Sequence, residues 1–426
     1  MKQRKKTGRK LLSFLLTLAL IVGMVPGYCL VAEADSETPI SMSNGRLYKG
    51  EVSDENEWNP TTSEGANVLE LPAGSYKLTS DIDTTATISV SGEVTLDLNG
   101  YGICAMAANV DNRQFSVITI NNADCSLELT DSQPTATTHY YKTTVNGATN
   151  VCTQEDYNIA SSEYSWGTFT GGYITNGGGT KTSFCPDGCG GGIYNAGTLN
   201  MKGGTIIGNY GSNILGGGIY SSGNVTISGG TILGNYGFRG GGLYIGGGRG
   251  EIVETSGNVI ITGNYSGAGG GVLIESTGKL TMTGGKITKN SATDGGGVSI
   301  LGTFDMQGGE ISENTATELN GGGVFNTGTF TMSGGTITKN TDASFGKSGA
   351  GVFIVNGAFT MTSGSIIENT LPAGTDGNGG GVYVITDTTV GNTVSTFNLS
   401  GNPVIKDNKK GNASDNVYLK DNQDRK

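Results

Sequence analysis

The chain has 426 residues, among them 75 Gly and 8 Pro, and 35% of its residues are hydrophobic. Glycine does not recur at every third position, which excludes collagen, and the many Val, Ile, Thr and Tyr residues favour a core of β-strands over disorder. The formal net charge of −11 argues against nucleic acid or anionic lipid as partners, because both would be repelled.

Residues 1–34 have the pattern of a secretory signal peptide. Six basic residues lie within Met1–Lys10, an apolar run covers Leu11–Val25, and Ala32–Ala34 supplies a small-x-small cleavage pattern. The apolar run is shorter than a bilayer span, so a membrane anchor is the weaker interpretation. We predict export, cleavage after Ala34 and no membrane insertion of the mature chain. Cleavage removes six of the 26 basic and one of the 37 acidic residues, which leaves 20 against 36 and a net charge of −16.

The first part of the mature chain is irregular. Residues 35–64 are polar and predict a leader or an N-terminal cap. Between 65 and 176, stretches such as SGEVTLDLNGYGI at 91–103 alternate apolar and polar residues, as half-buried strands do. From 131 to 170 this alternation lapses, which predicts a long loop leaving one coil. The mature chain has five cysteines, an odd number that does not indicate a complete disulfide framework.

From 190 to 408 the chain repeats a triple-glycine marker followed by an aliphatic residue. The markers begin at Gly190, Gly216, Gly240, Gly269, Gly295, Gly321, Gly349 (as GAG) and Gly379. Their spacing is 24 to 30 residues, with a mean of 27. Each unit carries three short alternating stretches, which place Val324, Phe330 and Ile337, for example, on one side. The pattern predicts an all-β solenoid, a parallel β-helix with three short strands per coil of about 27 residues.

An asparagine lies three residues after an Ile in every one of these units. The eight are Asn209, Asn235, Asn264, Asn290, Asn314, Asn340, Asn369 and Asn408. Asn tolerates the left-handed conformation, and stacked amides can hydrogen-bond along a solenoid. We therefore predict a structural ladder rather than a set of ligand-binding residues.

The residue after the marker's aliphatic is aromatic in six of eight units. The six are Tyr194, Tyr220, Tyr244, Phe325, Phe353 and Tyr383. Alternation with the inward aliphatic predicts that they point outward as a stripe on one face. Such a stripe can bind sugar rings or a partner protein. The alternative is that rings on adjacent coils only stack on each other.

Two further segments carry weaker signals. The charged residues 409–426 predict a polar C-terminal cap or tail over the last coil's edge. The turn Asp376–Gly379 offers oxygen-bearing side chains and is a weak calcium candidate, although a plain turn is the preferred interpretation. The pair Cys185 and Cys189 lacks the spacing and the nearby His of a zinc site. We predict no cofactor and no other metal site.

The GGG-aliphatic and ITxN patterns resemble the GGA-aliphatic and FxxN repeats of polymorphic outer-membrane proteins, over roughly residues 65–420. This resemblance implies a right-handed parallel β-helix of the pectin-lyase-like superfold. The leader and the segments VTLDLNGYGI and LELTDS resemble secreted β-helix proteins of Gram-positive gut anaerobes. Ile replaces the Phe of FxxN, and the sequence shows neither a C-terminal membrane barrel nor an LPxTG motif. We therefore expect a released chain, a chain retained noncovalently, or a shortened form.

The sequence favours a non-catalytic protein. Polysaccharide-degrading β-helices need paired carboxylates, or calcium-holding acids with a basic residue. The mature chain has five Arg, a single His (His139) and scattered acidic residues. We expect an exported or cell-surface, adhesin-like protein that recognises a glycan or a host protein. The alternatives are a polysaccharide lyase or glycoside hydrolase, which a carboxylate cluster on one exposed face would favour, and a passive repeat spacer.

Overall fold

The structure is a computed structural model that describes most of residues 38–420. The described ranges are 38–43, 46–50, 57, 61–63, 66–106, 116–144, 149–152, 164–178, 190–252, 259–343, 348–374, 376–386 and 394–420. The chain divides into two units, Met1–Glu37 and Thr38–Lys426. The first unit, with the predicted signal peptide, lies outside the described residues, as do Cys185 and Cys189.

The second unit is a parallel β-helix, as the repeat predicts, and its described residues form strands and turns but no helix. Corresponding strands of successive coils pair in parallel and build three long sheets. Sheet A contains, in spatial order, Arg46–Lys49, Thr38–Ser43, Gly74–Leu78, Glu93–Asp97, Ser126–Thr130, Thr198–Met201, Asn224–Ile227, Arg249–Ile252, Lys279–Met282, Thr303–Met306, Thr329–Met332, Ala358–Met361 and Thr396–Leu399.

Sheets B and C form the other two long walls of the solenoid. Sheet B contains Thr61–Ser63, Ala66–Leu71, Thr87–Val90, Ile118–Ile120, Ile193–Asn195, Ile219–Ser221, Leu243–Ile245, Val272–Ile274, Val298–Ile300, Val324–Asn326, Val352–Val355, Val382–Ile385 and Val417–Lys420. Sheet C contains Ile82–Thr84, Gly102–Ala105, Tyr173–Thr175, Thr205–Ile207, Thr231–Leu233, Ile260–Thr262, Lys286–Thr288, Glu310–Ser312, Thr336–Thr338, Ser365–Ile367 and Val404–Lys406.

A fourth sheet, which the sequence analysis did not predict, lies between each ladder asparagine and the next glycine marker. Sheet D contains Tyr210–Leu215, Tyr236–Arg239, Tyr265–Ala268, Ser291–Asp294, Thr315–Ala316, Thr341–Asp342, Thr370–Leu371, Lys409–Lys410 and Ala413–Ser414. Several of its strands turn small side chains inward, such as the fully buried Ala292 and Ala316. Most of these strands turn a small or polar residue inward, with Ile214 and Leu371 as exceptions, so they carry little alternating apolar signal in the sequence.

Alternation within the strands builds the core as columns of like side chains. In Thr303–Met306, the Phe and the Met are fully buried, whereas the Thr and the Asp are partly exposed. In-register pairing repeats this arrangement on each coil. One resulting core stack consists of Phe304, Phe330, Phe359 and Phe397. Its ring centroids are 4.5–5.3 Å apart, within the range of favourable aromatic contact.

The triple-glycine markers form the corner between sheets D and B. The first glycine has a positive φ, for example 59° at Gly295 and 76° at Gly321, which glycine adopts without steric cost. The third glycine permits close approach of neighbouring coils. A Cβ on Gly297 would lie 2.6 Å from the carbonyl oxygen of Gly323. Backbone geometry therefore explains the repeated triplet.

The predicted cap and the predicted loop both contain strands. Thr38–Ser43 and Arg46–Lys49 form an antiparallel hairpin on the first edge of sheet A. The segment 131–170 contains an antiparallel sheet E, made of Thr149–Cys152, Thr138–Thr144 and Tyr164–Thr170. In Thr138–Thr144, six of seven residues are partly buried, so the alternation that marks a strand is absent there.

Sheet E packs near the start of the regular coils. The imidazole of His139 lies 4.7 Å from the Tyr173 ring and 5.1 Å from the Phe169 ring. This burial lowers the pKa of His139. Thr149 is buried against sheet-C corners, where a Cβ on Gly234 would lie 2.5 Å from its Oγ1. The chain's single His therefore serves as a packing residue between sheets E and C.

The segment predicted as a polar tail adds strands to the solenoid. Lys409–Lys410 and Ala413–Ser414 belong to sheet D, and Val417–Lys420 belongs to sheet B. Residues 421–426 lie outside the described part of the chain. No helix with the length and hydropathy of a membrane span occurs among the described residues.

Candidate binding surface

The eight ladder asparagines form one continuous chain of hydrogen bonds after sheet C. In Asn314, the backbone N–H and Nδ2 both donate to Oδ1 of Asn340, at 3.0 Å each. Nδ2 also donates to the carbonyl oxygen of Ile287 at 2.9 Å. The pattern repeats from Asn209 to Asn408, and Asn416 accepts the last pair of bonds. These amides are buried and bonded within the scaffold, so they are not groups that a ligand could reach.

The six stripe residues lie in register on the outer face of sheet B, in two separate stacks. The first stack contains Tyr194, Tyr220 and Tyr244. The second stack contains Phe325, Phe353 and Tyr383, and it continues to Tyr418. Adjacent ring centroids are 5.3–5.5 Å apart, and the rings lie within 15° of parallel. The buried residues Leu273 and Ser299 separate the two stacks.

Stacking hides the ring faces from solvent. Tyr244, Phe353 and Tyr383 are only 5–7% exposed, so the stripe is less exposed than the sequence suggested. The rings stack on each other, as in the alternative interpretation. A sugar bound here would meet ring edges and hydroxyl groups rather than ring faces. The first stack, which consists of tyrosines, is therefore better suited to a polar ligand than the second.

A further tyrosine stack, missed in the sequence analysis, lies on the adjacent sheet D. It consists of Tyr210, Tyr236 and Tyr265. Ring centroids are 4.8 and 5.4 Å apart, and all three side chains are partly exposed. The available signal was the Asn-Tyr pair that occurs at three successive ladder positions.

An ion pair joins the two tyrosine stacks. Arg239 ends the sheet-D strand that begins with Tyr236, and Gly240–Gly242 then leads into the sheet-B strand that carries Tyr244. Oε2 of Glu275 accepts a hydrogen bond from the Tyr244 hydroxyl at 2.8 Å and lies 3.7 Å from Nη1 of Arg239. Burial and the bond to Glu275 raise the pKa of Tyr244 above its ordinary value, so the hydroxyl remains a donor well into the alkaline range. The Arg239 side chain is 41% exposed and the Glu275 side chain 25%.

A second carboxyl group, that of Asp294, interacts electrostatically with the same guanidinium. Asp294 is in register with Ala268, which is in register with Arg239. Burial raises the pKa of Asp294 to about 6, although Arg239 and a hydrogen bond from Ser299 act in the opposite direction. Asp294 therefore changes charge just below neutral pH.

We call this assembly the tyrosine face. It consists of Tyr194, Tyr220, Tyr244, Tyr210, Tyr236, Tyr265, Arg239, Glu275 and Asp294. The face combines hydroxyl donors, one cation and two carboxyl groups over several consecutive coils. Such a surface can exchange many hydrogen bonds with a polyhydroxyl ligand, and its arginine and carboxylates can each bind two neighbouring groups.

The described residues also contain an open groove of about 530 Å³ over sheet C. Val259, Ile260, Lys286, Glu310, Thr336 and Thr338 line it. Lys286 and Glu310 form an ion pair of 3.5 Å across two coils, so the groove has no dominant charge. It is the second surface on which an extended ligand could lie.

In the turn Asp376–Gly379, the weak calcium candidate, one contact would compete with a bound ion. Nζ of Lys410 lies 3.4 Å from Oδ1 of Asn378, so a cation of the protein already neighbours this oxygen. Among the described residues, no three or more His, Cys, Asp or Glu side chains are grouped closely enough to hold a metal ion. The turn is therefore not part of the candidate site.

Comparison of the chain with protein-family models, with characterised proteins and with solved structures gives no match.

Proposed function

We propose that this protein is an exported or cell-surface β-helix that recognises a glycan without chemical conversion, through the tyrosine face. The observation that carries the proposal is the position of the Arg239–Glu275 ion pair between two tyrosine stacks on adjacent sheets. The stacks fix the rings, and the ion pair supplies a donor and an acceptor whose positions are set by the scaffold. Preorganised groups of this kind bind with a small entropy cost.

The solenoid geometry suits a linear glycan. Successive coils are separated by the spacing of paired strands, about 4.8 Å, which is close to the length of one sugar unit. A chain of sugars along the axis would therefore place successive units beside successive coils. Because the protein is acidic overall, a neutral polysaccharide is a better partner than an anionic one.

The cellular setting and the fine classification belong to the same proposal. The leader pattern and the acidic mature chain support secretion, with display at the surface of a Gram-positive bacterium. The GGG-aliphatic and ITxN repeats support a right-handed helix of the pectin-lyase-like superfold. A surface-exposed solenoid of this kind is a suitable adhesin, because its long rigid wall presents one binding face away from the cell.

A glycan array tests the proposal directly. The array carries neutral plant polysaccharides (arabinoxylan, xyloglucan and mannan) and mucin O-glycans. We expect binding by the secreted protein, and a loss of about tenfold or more in Arg239→Gln and Glu275→Gln, because each variant removes a charged hydrogen-bonding group. Glu128→Gln, which disrupts the sheet-A ion pair with Lys202, is the matched control and should bind normally. Unchanged glycan binding by both variants would refute the tyrosine face as the binding surface. If the protein bound a host protein but no glycan, a protein partner would have to replace the glycan in the proposal.

A polysaccharide hydrolase is the second candidate, and Asp294 is the observation that favours it. A carboxyl group with a pKa near 6 can act as a general acid, and Glu275 supplies a second carboxylate beside the same arginine. Release of reducing sugar from the arrayed polysaccharides, abolished by Asp294→Asn, would establish this activity. Binding without release supports recognition.

A further inference from the structure

Two cations lie side by side on the outer face of sheet A. Arg249 and Lys279 are in-register neighbours on adjacent coils, and both are exposed. We call them the cationic pair. No ion pair among the described residues involves either side chain. Paired strands are about 4.8 Å apart, so two like charges in this position repel each other and destabilise the sheet.

Elsewhere on the solenoid, the same geometry joins a cation to an acid. Lys286 and Glu310 are in register on sheet C, and their charged groups lie 3.5 Å apart. Beyond the cationic pair, the next in-register residue on sheet A is Thr303, which carries no charge. Glu251, the next outward residue on the first of the two strands, is exposed and forms no ion pair with either cation. The fold therefore leaves two adjacent positive charges open to a ligand.

A corner made only of glycine connects the cationic pair to the tyrosine face. Gly246–Gly248 lies between the sheet-B strand of Tyr244 and the sheet-A strand that begins with Arg249. A Cβ on Gly246 would lie 3.0 Å from Cε1 of Tyr244 and 3.1 Å from the hydroxyl oxygen of Tyr220, so both rings reach this corner. Three residues span at most about 11 Å, little more than two coil spacings. A ligand of two or three sugar units can therefore contact the tyrosines and the cations together.

We propose that the cationic pair is a subsite for one acidic substituent, a sulfate ester or a carboxylate, on the otherwise neutral glycan of the proposed function, on which this inference rests. The guanidinium of Arg249 can donate two parallel hydrogen bonds to either anion, and the ammonium of Lys279 adds a second positive charge. A bound anion also offsets the repulsion between the two cations.

The charge of the whole chain limits how acidic this glycan can be. The formal net charge of −11 repels a polyanion. Charges more than about 8 Å away are largely screened at physiological ionic strength, so a single anion at the subsite interacts mainly with the two adjacent cations. This distribution favours a neutral glycan with isolated acidic groups, such as a sialylated or sulfated O-glycan, over a polyuronate.

Binding to native and stripped mucin O-glycans tests the proposal. The immobilised samples are untreated, desialylated with sialidase, desulfated by solvolysis, or treated in both ways. We expect the wild type to bind the untreated sample at least about tenfold more tightly than the doubly stripped sample. This preference should shrink as NaCl rises from about 50 to 300 mM. The singly treated samples show whether the carboxylate or the sulfate supplies the anion.

The double variant Arg249→Gln/Lys279→Gln should bind the untreated sample as weakly as the wild type binds the doubly stripped one. Its binding to the stripped sample should be unchanged. Its melting temperature should be at least that of the wild type, because two like charges in register repel. The matched control is Lys339→Gln/Lys409→Gln, which removes two exposed lysines beside sheets C and D and changes the net charge equally. It should keep the preference of the wild type.

Equal binding of untreated and stripped glycans by the wild type would overturn the subsite. So would a preference that the double variant retains, or one that the control also loses. In these cases the tyrosine face still stands if Arg239→Gln weakens binding to every sample. A wild type that binds the arrayed neutral polysaccharides but no mucin glycan would refute this inference alone. Failure to bind any glycan would refute the proposed function and the subsite with it.

Discussion

Charged residues occupy a strained backbone position in the later coils. The residue before each ladder asparagine has a φ of 55–63°. The earlier coils use Gly208, Gly234 and Gly263 at this position. The later coils use Lys289, Glu313, Lys339, Glu368 and Asp407. The left-handed conformation costs a non-glycine residue about 1 kcal/mol or more. The occurrence of charged residues instead of glycine in the later coils therefore requires an explanation.

Contacts with sheet E explain in part why the earlier coils keep glycine at this position. Thr149 lies so close to Gly208 and Gly234 that a Cβ on either would meet it within 2.5 Å. The later corners lie beyond sheet E, where a long side chain can extend into solvent. The repeat pattern could not reveal this difference, because it depends on a segment that interrupts the repeat.

At the same scale, Asp294 predicts a pH dependence. Its pKa of about 6 in the folded chain lies above the value of about 3.9 expected for an unfolded Asp. The folded state therefore holds the proton more tightly, and stability contributed by this group is lost as pH rises from about 4 to 6. Asp294→Asn should raise the free energy of unfolding at pH 7 by on the order of 1–2 kcal/mol, and by much less at pH 4.

Urea unfolding of wild type and variant at both pH values measures this effect. Asp305→Asn, on the outer row of sheet A, gives the background effect of replacing a carboxylate with an amide. An Asp294 effect of equal size at both pH values would contradict the proposed burial of its charge.

Among the structural elements, the asparagine ladder is expected to contribute a large, measurable share of the free energy of unfolding. Removing the Asn314 side chain takes a donor from the carbonyl of Ile287 and the acceptor from the backbone N–H of Asn290 in a buried corner. It also removes one of the two hydrogen bonds of Asn290 Nδ2, which keeps its bond to the carbonyl of Ile261. Each unsatisfied group costs about 1–3 kcal/mol. Asn314→Ala should therefore lower the free energy of unfolding by about 3–5 kcal/mol.

Urea unfolding monitored by circular dichroism checks this value. The exposed Asn224 on sheet A offers the control, since Asn224→Ala should change stability by less than about 0.5 kcal/mol. A similar small loss in both variants would show that the ladder contributes little to stability.

The sequence predicted some elements well and others poorly, for physical reasons. Strands of sheets A, B and C carry large inward residues such as Phe330, Met332 and Ile337, so apolar and polar residues alternate clearly in their sequences. The parallel β-helix predicted from this alternation is confirmed. Sheet D turns mostly small or polar residues inward, and the sheet-E strand Thr138–Thr144 is half-buried along most of its length, so neither shows a clear period of two. The direction of winding stays a prediction.

For the molecule as a whole, the outer wall is divided into two kinds of aromatic surface. Tyrosines line sheets B and D in the earlier regular coils, whereas phenylalanines begin the second stack on sheet B. The sequence predicted the sheet-B residues, but not the ion pair beside them. Arg239, Glu275 and Asp294 come from three coils and two sheets, and only the register brings them together. Their role in binding stays a proposal.

Hydroxyl-radical footprinting by mass spectrometry, with and without saturating arabinoxylan or mucin O-glycans, tests the central claim most directly. The account predicts that a bound glycan reduces labelling at Tyr220, Tyr236 and Tyr265, while Tyr418 at the other end of sheet B is labelled as before. Protection centred on the sheet-C groove around Lys286 and Glu310, or on the second stack, would contradict the tyrosine face as the binding surface. So would glycan binding that leaves every tyrosine equally labelled.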